Sequence, residues 1–136
     1  MQKILVGTDT SARADRAVDE AARLAGTQDA ELVVLYVRPP LDAREVFDPE
    51  KMPEPERYLE KIRHRYADVK VRTRSETGDP AEMICEVAEE EGADLIVVGN
   101  RGVHGKKRWF LGSVPLAVAT HAPCSVYIVD TREVAR

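Results

Sequence analysis

Short apolar runs recur along this chain, and a stretch of different periodicity separates each from the next. KILVGTD (3–9), AELVVLYV (30–37) and DLIVVG (94–99) are rich in Val, Ile and Leu and bounded by polar or turn residues. Such runs suit strands buried on both faces. VKVRTRSET (69–77) alternates instead, the mark of an edge strand with one wet face. CSVYIV (124–129) closes the series as a fifth strand.

The intervening segments carry helix signals. SARADRAVDEAARLAG (11–26) places Ala14, Ala17, Val18, Ala21, Leu24 and Ala25 on one stripe, with Ser11 as N-cap and Gly26 as stop. GDPAEMICEVAEEEGAD (78–94) offers Asp79 as N-cap, Pro80 at the first helical position, Glu82 in the capping-box place and Gly92 as stop. Its buried stripe is Ala81, Ile84, Cys85 and Ala88, and the acidic run Glu89, Glu90, Glu91 reads as a solvated face. A shorter helix is expected over 55–67 and another, SVPLAVATH, over 113–121. Between 39 and 55 lie five of the eight prolines, which makes that segment a loop. The order β-α-β-α-β-α-β-α-β predicts a parallel sheet with helices on both faces, joined by right-handed crossovers. In such a sheet, ligands bind beyond the carboxyl ends of the strands, where the winding reverses.

Composition narrows the function classes. The 136 residues are enough for one domain that buries about 70% of its unfolded surface. With a formal charge of -4 and a pI near 5.4, a general nucleic-acid-coating role is disfavoured. No apolar run approaches the roughly 20 residues of a membrane span, and the N-terminus enters a strand directly, so a cytoplasmic protein is expected. The two cysteines, Cys85 and Cys124, have no metal-ligand partners near them in sequence and read as buried thiols.

Against that acidic background, GNRGVHGKKRWFLGS (99–113) gathers four glycines and the cations Arg101, Lys106, Lys107 and Arg108. A Walker-type loop fails on spacing: Asn100 stands where its first glycine belongs, and Lys107 replaces the hydroxyl residue. A dinucleotide fingerprint fails as well, because GTDTSA after the first strand supplies one glycine. What remains is Gly99, Gly102 and the pair Gly112–Ser113 opening a helix. Glycine lets backbone approach phosphate oxygens, and the N–H groups of Ser113 and Val114 face a favourable dipole for anions. Composition alone leaves an ordinary Gly/Lys-rich loop open; position at the switch point favours an anion cradle.

The spacing GxxG, nine residues, GS, followed by an apolar helix and HAPCSVYIVD, resembles the nucleotide-binding signature of the universal stress protein family, in its ATP-binding branch. The resemblance runs from KILVGTD to the closing strand. It implies an α/β fold: an open twisted, Rossmann-like sheet of five parallel strands in order 3-2-1-4-5, two helices on each face, forming one domain over 1–136. It implies that Asp9, with Thr8 beside it, contacts the adenosine moiety, that the backbone at Val37 pairs with adenine, and that Gly99, Gly102, Gly112, Ser113 and Val114 hold phosphate. Arg101 lies between the first two glycines and reaches either phosphate or solvent. ATP is the implied cofactor, and a Mg2+ ion held through its phosphates would find one carboxylate, Asp9. Two positions depart from the pattern: Pro115 removes an N–H from the first turn, and Thr10 stands where the family often has glycine.

The resemblance implies a stress-response switch or sensor with at most slow ATP hydrolysis. The alternative is a dimeric interaction module of the same fold that has lost nucleotide. Of His64, His104 and His121, only His104 lies in the phosphate loop, and Ser113 lacks a hydrolase elbow. Trp109 and Phe110 read as anchors of that loop. A phosphorylation-controlled receiver is excluded by TDT, SETG and IVDT where its acid pair, aspartate and lysine belong. The family commonly pairs last strands, so a homodimer through Cys124 to Val129 is expected, with Val126 and Ile128 on one side of the strand and Tyr127 and Val129 on the other.

Overall fold

A computed structural model describes residues 1–38, 40, 54–100 and 112–131. Nine elements follow one another: β1 (Lys3–Thr8), α1 (Ala12–Gln28), β2 (Glu31–Arg38), α2 (Glu54–Arg65), β3 (Val71–Thr77), α3 (Pro80–Glu91), β4 (Leu95–Gly99), α4 (Ser113–His121) and β5 (Ser125–Val129). The strands form one parallel sheet in the order β3-β2-β1-β4-β5, as the resemblance implied. Ile4 pairs with Leu32 on one side and Leu95 on the other, and Leu95 with Ser125.

The pleat sorts the apolar runs into two cores. Ile4, Val6, Leu32, Val34 and Val97 pack with Ala17, Val18 and Ala21 of α1 and Leu59 and Ile62 of α2. Their neighbours Leu5, Val33, Leu35, Ile96 and Val98 pack with Ile84 and Val87 of α3 and Val118 of α4. Two helices therefore cover each face. Side chains such as Ile4, Leu5 and Ile96 are fully buried, each stabilising the fold by about 1.5–3 kcal/mol.

The expected caps of α3 are in place. The Asp79 side chain accepts the Glu82 N–H at 3.0 Å, Pro80 opens the helix, and Gly92 ends it at φ 66°. Ser11 likewise accepts the Ala14 N–H at 3.1 Å. The stop of α1 differs from the reading at Gly26. The helix continues to Gln28 and ends at Asp29, which takes the left-handed conformation at φ 51°. Aspartate tolerates that region better than most residues.

The acidic run at the end of α3 is only partly a solvated face. Glu91 accepts from Arg72, which also donates to Glu31, and Glu90 accepts from Arg74 at 2.6 Å. These arginines lie on edge strand β3, so the carboxylates fasten the helix end to the sheet margin. Among the described residues, no helix is long and apolar enough to cross a membrane.

Candidate functional site

The carboxyl ends of β1, β2 and β4 meet the amino ends of α1, α3 and α4 around a cavity of about 300 Å3. It sits at the β1–β4 boundary, where the strand order reverses. Leu35, Val37, Ile84 and Val98 supply apolar walls, and Thr8, Asp9, Ser11, Arg13 and Thr131 supply polar ones. A few converging polar groups on an apolar surface is the make-up of a small-molecule site.

Close packing shapes these walls. A Cβ at Gly7 would meet Ile84 Cδ1 at 2.9 Å, so the missing side chain gives the tip of Ile84 its room against β1. The following turn is held in an uncommon conformation. Thr10 has φ 69°, a left-handed value that a β-branched residue rarely adopts. Two short bonds fix it: Thr8 Oγ1 accepts the Thr10 N–H at 2.9 Å, and Asp9 Oδ1 accepts the Ser11 N–H at 2.9 Å. The structure thus explains why glycine suits position 10 and how threonine is tolerated there.

Behind the turn, Tyr58 of α2 donates its hydroxyl to Asp15 Oδ1 at 2.5 Å, and Arg65 reaches Asp15 Oδ2 at 2.9 Å. Burial, and then this donation, push the Tyr58 phenol well above its ordinary range. It stays a neutral donor.

The start of α4 is built differently from the other capped helices. Its N-cap is Gly112, and no side chain caps it. The first intrahelical bond there runs from the Leu116 N–H to the Gly112 carbonyl at 3.2 Å. The amides of Ser113 and Val114 precede that bond, where helix geometry supplies no partner, and Pro115 has none to offer. Val114 and Pro115 line the cavity.

Of the residues expected at the site, Thr8, Asp9, Val37, Gly99 and Val114 line this one cavity. Gly112 and Ser113 directly precede Val114 at the head of α4. Arg101 and Gly102 lie outside the described residues, as do His104, Lys106, Lys107, Arg108, Trp109 and Phe110. His64 bonds Glu60 on α2 and His121 ends α4; neither lines the cavity. Among the described residues no three His, Cys, Asp or Glu side chains cluster as a metal site. Sequence reasoning missed Arg13 and Thr131. Arg13 carried a signal, since it is a cation in the first turn of the helix that follows Asp9; Thr131 carried none, because its place depends on where β5 ends.

Comparison with known proteins points to one family. The family model described as "Universal stress protein family" matches residues 1–130. A Staphylococcus epidermidis protein named as a universal stress protein is 33% identical over 145 residues, covering 97% of this chain and 86% of its own. Among solved structures, a universal stress protein in complex with cAMP superposes with a TM-score of 0.79 at 29% identity, covering 96% of this chain and 98% of that one. The universal stress protein UspA from Lactobacillus plantarum gives 0.73 at 28% identity, covering 94% and 97%.

Proposed function

The chain belongs to the universal stress protein family, and on that premise we propose that its cavity binds an adenine nucleotide, with ATP the ligand the loop chemistry favours. The observation that carries this reading is the convergence of Asp9, Val37, Gly99 and Val114 on one cavity at the switch point. In this reading adenine lies against the apolar wall and pairs with the Val37 backbone. Thr8 and Asp9 face the adenosine moiety. The phosphates meet Gly99, the backbone at Gly112 and the amides of Ser113 and Val114, with Gly102 and Arg101 continuing the cradle.

Three observations support it. The α4 N-terminus lacks a side-chain cap, which leaves its donors for an anion. Arg13 brings a cation to a wall that also holds Asp9. A relative 29% identical over nearly its whole length holds cAMP. Mg2+ would enter with the phosphates, since Asp9 is the one carboxylate among the described lining residues.

The nucleotide acts as a switch or sensor input, with at most slow hydrolysis, within one domain spanning 1–136. The chain pairs with a second copy through β5 and the adjoining Cys124. The two sheet margins favour that choice. β3 is edged by the paired charges Arg72, Arg74 and Glu76, whereas β5 exposes Ser125 and Tyr127.

Gentle denaturation of purified protein, with mass spectrometry of what is released, tests the reading. An adenine nucleotide is expected. None released, and none bound on titration with ATP, would favour a dimeric interaction module that has lost its ligand.

A further inference from the structure

One residue ties the head of α4 to the end of the last strand. Asn100 follows β4 directly; its N–H donates to the Val129 carbonyl at 2.9 Å, and its carbonyl accepts the Gly112 N–H at 3.4 Å. Its side chain turns the other way. Oδ1 accepts the Thr131 N–H at 3.2 Å and the Thr131 hydroxyl at 3.1 Å, while Nδ2 donates to Asp130 Oδ1 at 3.3 Å. The backbone pairing of β4 with β5 ends at Gly99 and Val129, so these contacts extend the ladder one step beyond its last pair.

The clasp has a consequence for the site. Thr131 is 1% exposed and lines the cavity beside Gly99. Gly112 is the residue from which α4 starts. Asn100 bonds to both while standing outside the cavity lining itself. An anion held by backbone amides needs them within about 0.5 Å of the productive geometry, which residues behind the amides must enforce.

We propose that Asn100 is a positioning residue for phosphate: by binding Thr131 and Asp130 with its side chain and Gly112 with its backbone, it sets the first turn of α4 against Gly99. The inference rests on the nucleotide reading above. It makes the far end of β5, in the strand expected to pair between copies, part of what determines phosphate affinity.

Calorimetric titration of the full chain with AMP and with adenosine tests it. Asn100→Ala is expected to weaken AMP about tenfold, the scale of about one hydrogen bond, and adenosine by less than about twofold. A residue that merely stabilised the fold would weaken both ligands together, so a parallel loss overturns the proposal, as does unchanged AMP affinity. If Asn100→Ala does not fold, Asn100→Ser, whose hydroxyl is too short to span to Thr131, carries the same measurement. Wild-type protein that binds neither ligand would overturn the nucleotide reading and this inference with it; wild type that binds AMP alongside an indifferent variant overturns this inference alone.

Discussion

Thr131 presses its methyl group against Gly99: a Cβ at Gly99 would lie 2.8 Å from Thr131 Cγ2. The glycine that opens the GxxG pattern is therefore required by packing between the ends of β4 and β5, in addition to any approach of phosphate. Gly99→Ala is expected to destabilise the protein by about 1–3 kcal/mol, the range for overpacking. Adding Thr131→Ser, which removes the methyl and keeps the hydroxyl on Asn100, should restore most of the loss. Urea unfolding of the two single variants and the double variant measures the coupling, and simple additivity would refute the contact.

Thr10 stores strain. Its left-handed backbone costs a β-branched residue about 1–2 kcal/mol, part of which glycine would return as backbone entropy. Thr10→Gly should raise stability by about 0.5–1 kcal/mol, a gain of roughly 1–4 °C in Tm for a chain of this size. A lower melting temperature would show that the Thr10 side chain holds the turn by contacts that outweigh the strain.

Acid should loosen the N-terminus first. The Asp94 carboxylate accepts the Gln2 N–H at 2.7 Å and the Lys3 N–H at 2.9 Å, and these two bonds hold its pKa below the ordinary carboxylate value. A depressed native pKa contributes stability that is complete above the unfolded value, about 3.9, and is lost as pH falls through the native one. In urea midpoints measured from pH 7 to pH 2, Asp94→Asn should be less stable than wild type near neutrality and should fall less steeply below pH 4. Parallel curves would contradict the assignment.

The last strand makes a sharper test of pairing between copies than its sequence alone suggested. Val126 packs against the core formed with α3 and α4, so a charge there disturbs the fold. Tyr127 is 37% exposed on the opposite side, with its hydroxyl 3.4 Å from Glu20. Tyr127→Lys is expected to halve the sedimenting mass while leaving the circular dichroism spectrum unchanged. A dimer that persists would place the interface elsewhere.

The sheet was legible because burial on both faces writes itself as continuous Val/Ile/Leu runs, and β3 because an edge strand must alternate. The cavity was legible at Asp9, Val37, Gly99 and Val114 through the family resemblance, at the strand ends and helix head where an open sheet places its ligand. Helix termini read less well: Gly26 is a good stop in isolation, yet it stays helical, where a Cβ would lie 3.7 Å from Val69 Cγ2, and Asp29 takes the left-handed turn. Contacts between distant segments left no local mark. Nothing near Asp15 announces Tyr58, 43 residues away, and nothing near Asn100 announces Thr131, 31 away. Arg72 and Arg74 likewise gave no sign that they would meet Glu91 and Glu90.

Titration of ATP into the wild-type chain and into a Gly112→Val, Ser113→Val double variant, each checked for an unchanged fold by thermal melting, tests most directly whether the head of α4 holds the nucleotide's phosphates. Valines there would crowd the backbone amides and remove the Ser113 hydroxyl. The expected result is saturable binding to the wild type and a loss of at least about tenfold, roughly 1.4 kcal/mol, in the folded variant. Equal affinity in both would contradict the account.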